Sequence, residues 1–330
     1  MIRAKCDEKE IFLTLGIEGA YHCEDHILQT EVERIRMVGF LQYTITGVLI
    51  GLLYAVIALA FIVIYRGGKL FNLAQGEIVA VSGFLVASFA AFTFFPFPLA
   101  VLAAFACSII LGVAIERILF RPMVDQPIFA VVMITIGMMI LLRGLMLVIW
   151  GPQPRPFPSF FPAEPVQLGP LLFPQSIFWG GLISVPLIGA ISWFFEKTLR
   201  GLTMSAVAES HAVAQSLGIS VMVSTAVAWG LAGGLSTFAA ITFLSGQSLT
   251  NLVSDIGMRA IPVALLAGLE SIWGALLAGI IIGVGESLAV GYLDPYTVGS
   301  ASEGFPYIIM VIILLIRPQG LFGWKIIERI

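Results

Sequence analysis

A few residues in this chain have the type and setting to do chemistry. Asn72-Leu73-Ala74-Gln75-Gly76-Glu77 follows a Gly67-Gly68 break and opens a long apolar run. Asn72 and Gln75 are three apart and share a helix face, with Glu77 roughly opposite Gln75. Such an amide pair at a discontinuous helix start suits a pore lining or a solute gate, because N-terminal amides favour a carboxylate there. The same residues equally suit a polar helix entry held at an interface. Arg143 lies within the apolar run 128–150, and Glu286 within the run 272–293. A charge at the bilayer centre costs about 2.5–3.5 kcal/mol on insertion scales. Such a group lines a cavity, pairs with an opposite charge or snorkels to the interface. By depth, Glu286 is the best-placed partner for Arg143, so an Arg143–Glu286 pair is expected. Arg259 and Glu270 flank a short apolar run and read as interfacial.

Other chemistry lacks its residues. Gly67-Gly68-Lys69 is followed by Leu70, so the phosphate-binding G-x-x-x-x-G-K-[ST] loop does not occur and ATP hydrolysis by that route is excluded. No H-E-x-x-H or paired-carboxylate set lies in an apolar run, so the chain is not expected to be an enzyme or to carry a cofactor. Tyr21-His22-Cys23-Glu24-Asp25-His26, with Cys6, matches no zinc-ligand spacing, and no metal site is expected. Cys107 lies in an apolar stretch, where a lone thiol usually serves packing.

The elements that must position these residues follow from composition. Of 330 residues, 59% are apolar and 11% charged, with a mean hydropathy of +1.01. Soluble domains carry about 25% charge. The chain therefore reads as an all-α polytopic membrane protein, not a cytosolic enzyme, nucleic-acid binder or disulfide scaffold. Its partner by composition is the lipid bilayer. Residues 1–36 hold eight acids and five bases, which accounts for the whole net charge of −3. They form a polar extension, either disordered or weakly helical, or the product of a misplaced start codon with the chain beginning at Met37. The transmembrane domain is then 37–330.

A crossing helix needs about 20 apolar residues. Segments at about 41–65, 72–94, 98–115, 128–150, 176–195, 221–244, 257–269, 272–293 and 305–317 give eight or nine spans. A re-entrant second segment is the alternative, and the Pro-rich stretch 151–174 reads as an irregular loop. With every segment crossing, one side collects Arg66, Lys69, Arg117, Arg121, Lys197, Arg200, Arg317, Lys325 and Arg329, and the other, the tail aside, only Arg155. The positive-inside rule makes the former side, with the C-terminus, cytoplasmic. Gly47/Gly51 and Gly279/Gly283 are G-x-x-x-G pairs of the kind that lets membrane helices approach closely. On the cytoplasmic side, Met204 to Leu217 reads as one short Ala-rich amphipathic helix ended by Gly218. A helix of this kind fits a groove on a partner protein.

Four stretches resemble the permease subunits of branched-chain amino-acid ABC importers, the high-affinity leucine/isoleucine/valine type. They are Gly51 to Ala60 leading into Asn72 to Glu77; Thr135-Ile136-Gly137 through Arg143-Gly144-Leu145 to Trp150-Gly151; Arg200-Gly201 through Ala208-Glu209 to Leu217-Gly218-Ile219; and Ala267 to Ala275 with the closing Arg317-Pro318-Gln319-Gly320-Leu321-Phe322-Gly323. The resemblance covers residues 38–323 and nothing of 1–36. It implies a permease of the bacterial inner membrane working by alternating access, with a second homologous permease, two ATPase subunits and a periplasmic solute-binding protein. Branched-chain amino acids, urea, short amides and aromatic acids are all cargoes of such relatives. The 200–218 segment would be the coupling helix, with Arg200, Gly201, Ala208, Glu209 and Gly218 carried over. Ser210-His211 departs from the usual small pair there, and Glu270 and Trp273 from smaller residues. Asn72, Gln75, Glu77, Arg143 and Glu286 are the candidates for the translocation path. A secondary transporter driven by an ion gradient is the rival, with Glu286 as the acid in a span interior that would serve it.

Overall fold

The computed structural model describes residues 17–91, 96–123, 126–162, 164–297 and 299–323, with the backbone alone at 17–30, 128, 211–212 and 251–252. The tail ligand candidates Cys6, His22, Cys23 and His26, and the C-terminal Lys325 and Arg329, therefore lie outside the described side chains.

Long apolar runs with no water to satisfy their backbone close their hydrogen bonds internally, as helices. They are α1 (Ile17–Gly68), α2 (Gln75–Ala91), α3 (Phe97–Ile115), α4 (Ile128–Trp150), α5 (Gln175–Lys197), α6 (Leu199–Glu209), α7 (His211–Ser216), α8 (Val221–Leu244), α9 (Asp255–Ala267), α10 (Ile272–Tyr292), α11 (Asp294–Thr297) and α12 (Ala301–Ile316). Six of them, α1, α3, α4, α5, α8 and α10, are long and apolar enough to cross a membrane, and α2 and α12 are shorter apolar helices. Pro96 and Pro98 set the start of α3, where a missing N–H costs nothing. A π-turn at Glu116–Phe120 prolongs α3 toward Met123. The backbone of α1 is helical from Ile17, so it runs through residue 37 without interruption.

The helices define two ends. At one, Arg66 donates to Ser205 (3.2 Å) and lies over the Phe195 ring, while Lys69 pairs with Glu270. Leu321 N–H there donates to the Leu266 carbonyl (2.8 Å), so the 317–323 segment packs on the α9–α10 turn. This basic end gathers Arg66, Lys69, Lys197, Arg200 and Arg317. The opposite end holds the 151–174 stretch, which is more ordered than expected from its prolines. There β1 (Arg155–Pro156) pairs antiparallel with β4 (Ser248–Leu249), and β2 (Val166–Leu168) forms a hairpin with β3 (Leu171–Phe173).

Helix α1 is the hub, with Leu53 through Ile64 each at most 4% exposed. It packs on α10 through the two glycine pairs: a Cβ on Gly51 would overlap the Gly279 carbonyl, and one on Gly283 would overlap the Gly47 carbonyl. Two crossings are broken. Gln75 at the start of α2 donates to Ser236 Oγ (2.7 Å), well inside α8, so α2 begins within the bilayer. Its other end meets the end of α4, where Trp150 Nε1 donates to Ser88 Oγ (2.7 Å). The second segment therefore crosses and does not turn back. Helix α9 begins at a similar depth, after a 3-10 turn at Asn251–Ser254 that descends from β4. The two breaks touch at Gly257, whose Cβ would overlap the Gly76 backbone.

Candidate functional site

The broken helices place the charged side chains. Arg143 on α4 reaches across to the start of α2, with Nε 3.0 Å and Nη2 2.7 Å from Glu77 Oε1. The same Nη2 donates to Ser254 Oγ (2.9 Å) and lies 3.7 Å from Asp255 Oδ1. A second arrangement of the same design stands beside it. Arg259 Nη1 is 2.6 Å from Glu286 Oε1, to which the Tyr54 hydroxyl also donates (3.2 Å). Its Nη2 is 3.5 Å from Glu303 Oε1. The expected Arg143–Glu286 pair is thus not formed. Each partner is claimed instead by an oppositely charged residue on a nearer helix, α2 for Arg143 and α9 for Glu286. Arg259 is correspondingly part of an intramembrane ion pair, not merely interfacial.

In each triad a guanidinium stands between a buried carboxylate and an open one. Glu77 and Glu286 side chains are 2% and 8% exposed, whereas Asp255 and Glu303 are 58% and 70% exposed. Glu77, Asp255 and Glu303 each lie in the first turn of a helix, α2, α9 and α12. The partial positive charge of a helix N-terminus stabilises an acid there. Three of the four carboxylates thus have a helix terminus beside them, in a region that holds two more carboxylates than guanidiniums.

Asn72 and Gln75 stand behind this network and are fully buried. Asn72 Oδ1 accepts from the Ala74 N–H (3.0 Å), Asn72 Nδ2 donates to Gln75 Oε1 (3.2 Å), and Gln75 donates onward to Ser236. The amides cap and anchor the start of α2, and through it they fix the position of Glu77.

The coupling candidates gather at the basic end. Helix α6 is tied to α5 by Thr198, whose Oγ1 accepts from Gly201 N–H (3.0 Å). A Cβ on Gly201 would overlap the Phe194 carbonyl, so the close α5–α6 corner requires glycine. Met204, Val207 and Ala208 face inward, while Arg200, Glu209 and Gly218 are exposed. The single helix expected over 204–217 is in fact two. Ser210 adopts an extended conformation (φ −157°) that ends α6, and its Oγ accepts from Val213 N–H (3.3 Å) to cap α7. Serine favours that role over a helix interior. Gly218 takes a left-handed φ of +76° and ends α7 as expected. Beside α6 a groove of about 810 Å³ is lined by Arg66, Lys69, Ser205, Glu209, Glu270 and Gln319, among others.

Sequence reasoning missed Asp255, Glu303 and Tyr54, and read Arg259 as interfacial. Asp255 and Arg259, one helical turn apart at the head of a short apolar run, were the available signal.

Residues 43–314 match the family described as branched-chain amino acid transport system / permease component. The chain belongs to that family. It is 26% identical over 314 residues to the high-affinity branched-chain amino acid transport system permease protein BraD of Pseudomonas aeruginosa, covering 88% of this chain and 98% of that one. It is 25% identical over 307 residues to the corresponding permease protein LivH of Escherichia coli, with the same coverage. A probable branched-chain amino acid transport permease protein, LivH of Methanocaldococcus jannaschii, is 31% identical over 164 residues, 48% of this chain and 52% of that one. Among solved structures, a chain of PsaBC from Streptococcus pneumoniae in complex with Fab aligns with a TM-score of 0.44 at 15% identity, over 88% of this chain and 97% of that one. Membership makes the chain the multi-pass membrane component of an ABC importer, which works with separate ATPase and solute-binding partners. A branched-chain permease of this kind is a transport subunit and not a catalytic one, and the relatives give no support to an ion-coupled carrier.

Proposed function

We propose that this branched-chain-type permease translocates branched-chain amino acids, or a related small polar solute, across the bacterial cytoplasmic membrane by alternating access. The observation that carries the reading is the Arg143–Glu77 pair, held inside the bilayer by a helix that begins there. Discontinuous helices with charged groups near the midplane are a recurring way to build a solute path. Glu77, Arg143 and Glu286 stand along that path, and Asn72 and Gln75 act from behind by fixing the start of α2. The transmembrane domain is residues 37–330, preceded by the polar extension 1–36.

The basic end and the C-terminus face the cytoplasm, following the positive-inside rule. Two ATPase subunits bind there, one of them against α6 and α7, with Arg200 and Glu209 at the contact surface. Gly201 and Ala208 hold α6 close to α5 and the core, and Gly218 ends the segment. Movement of that segment on nucleotide binding is passed to α5 and α1, on which α6 packs. A second homologous permease completes the path, and a periplasmic solute-binding protein delivers cargo to the opposite end.

Reconstitution tests this. Proteoliposomes holding the purified complex, with binding protein on the side opposite the ATPases, should accumulate leucine only with ATP and should do so in the presence of an ionophore. Uptake by this chain alone, abolished by the ionophore, would sink the reading in favour of a secondary carrier.

A further inference from the structure

The two triads share a feature that their role as internal ion pairs does not account for. The inner arm of each is short and buried, at 2.7 Å for Arg143–Glu77 and 2.6 Å for Arg259–Glu286. The outer arm of each is long and open, at 3.7 Å for Arg143–Asp255 and 3.5 Å for Arg259–Glu303. Charge-assisted hydrogen bonds close to about 2.7–2.9 Å when both partners are free to do so. Helical rise places Asp255 roughly 20 Å in from the basic end of α9, whereas the head of α12 that carries Glu303 is tied to Asp294 just past the outer end of α10, where Ser302 N–H donates to Asp294 Oδ1 (2.9 Å). A charged group at the depth of Asp255 faces the bundle interior or a water-filled cavity far more often than lipid, and Glu303, 70% exposed at the outer end, is open to water.

We propose that Asp255 and Glu303 are solute-contacting residues: they take the ammonium group of a zwitterionic α-amino acid, and the adjoining guanidinium of Arg143 or Arg259 takes its carboxylate. The inference rests on the translocation reading above and adds to it the recognition chemistry. A zwitterion brings both charges and no net charge. It can therefore enter a loose acid–guanidinium gap and replace one long contact by two short ones, without changing the net charge of the region. An anion lacking the ammonium would meet the open carboxylate and be repelled. Glu77 and Glu286 hold the guanidiniums in place from behind and make no contact with solute.

Reporter cysteines test the inference in the assembled complex. Met258 on α9 is exposed, and a Cβ at Gly304 on α12 meets only the end of Ile308. Met258→Cys and Gly304→Cys, in a background with Cys6, Cys23 and Cys107 replaced by serine, leave all six charged residues in place. Leu141→Cys, exposed on the face of α4 turned away from Arg143, is the lipid-facing control. A membrane-impermeant cationic thiol reagent should label the two reporters and not the control. During ATP-driven turnover leucine should suppress that labelling, and its α-keto acid analogue should not. Asp255→Asn with Glu303→Gln should abolish protection by leucine while the reporters still react. Reporters that stay unlabelled, or protection by the keto acid equal to that by leucine, would overturn the assignment. ATP-independent uptake would instead overturn the importer reading while leaving the labelling result intact.

Discussion

The Gly279 carbonyl of α10 occupies the place a Cβ on Gly51 of α1 would need, and the reverse overlap holds between Gly279 and the Gly51 carbonyl. Contact this close, repeated one turn along at Gly47 and Gly283, lets two backbones lie together where lipid supplies no hydrophobic drive. Gly51→Leu should therefore force the helices apart. Overpacking costs about 1–3 kcal/mol where side chains can shift, and more is expected against backbone. Gly144→Leu, at a position with open space around it, should leave the midpoint unchanged. Thermal unfolding of the two variants in the same detergent separates this interface from a general intolerance of bulk.

The partner of Arg143 is Glu77, and a double-mutant cycle can show it. Arg143→Ala leaves the Glu77 carboxylate buried beside no cation, which costs about 3 kcal/mol when a buried pair loses one member. Glu77→Gln should cost less, because Arg143 is 45% exposed and keeps water and Ser254. Coupling between these two substitutions should be clearly larger than between Arg143→Ala and Glu286→Gln, whose triads share no residue. Equal coupling in both cycles would mean that the two networks act as one.

How much of this was legible in the sequence depends on how local each feature is. Crossing segments were readable because hydropathy and length alone decide them. The glycine pairs were readable as close-packing faces but not as partners of each other, since nothing in either run says which helix lies opposite. The charged residues were found as residues and mispaired, because depth along a span was estimated by assuming that every span runs from face to face. Helices α2 and α9 begin inside the bilayer, which brings Glu77 to Arg143 and Arg259 to Glu286. Asp255 was overlooked for the same reason: at the head of an apolar run it looks like an end. The 155–173 strands formed despite the prolines in and around them, because pairings of two and three residues at an edge ask little of the backbone.

Ser210 offers a test of the split between α6 and α7. Its hydroxyl caps α7 through Val213 N–H, and losing such a cap costs about 1 kcal/mol. Ser210→Ala should speed hydrogen exchange in the amides of residues 211–216 while leaving α6 unchanged. Because α7 is the exposed part of the proposed coupling segment, ATP-driven uptake should fall severalfold with no change in the thermal midpoint of the transmembrane helices. Faster exchange throughout α6 as well would show that the two helices melt together and that the serine break is not a boundary.

The Lys69–Glu270 pair at the basic end should behave oppositely to the buried triads. Both side chains keep substantial exposure, 39% and 29%, and pairs of that kind contribute about 0–1 kcal/mol. Glu270→Gln should accordingly leave the midpoint within a degree or two. The same two residues line the groove beside α6, together with Arg66 and Glu209, so their effect belongs to association and not to folding. If an ATPase subunit docks there, Glu270→Gln and Lys69→Gln should each lower the amount of ATPase that co-purifies with the permease near physiological salt. Surface charge pairs are screened by salt while buried packing is not. The retained ATPase should therefore differ most from wild type near physiological ionic strength and converge with it at high salt. Identical retention of ATPase at every salt concentration would move the docking surface away from this groove, toward the exposed face of α7.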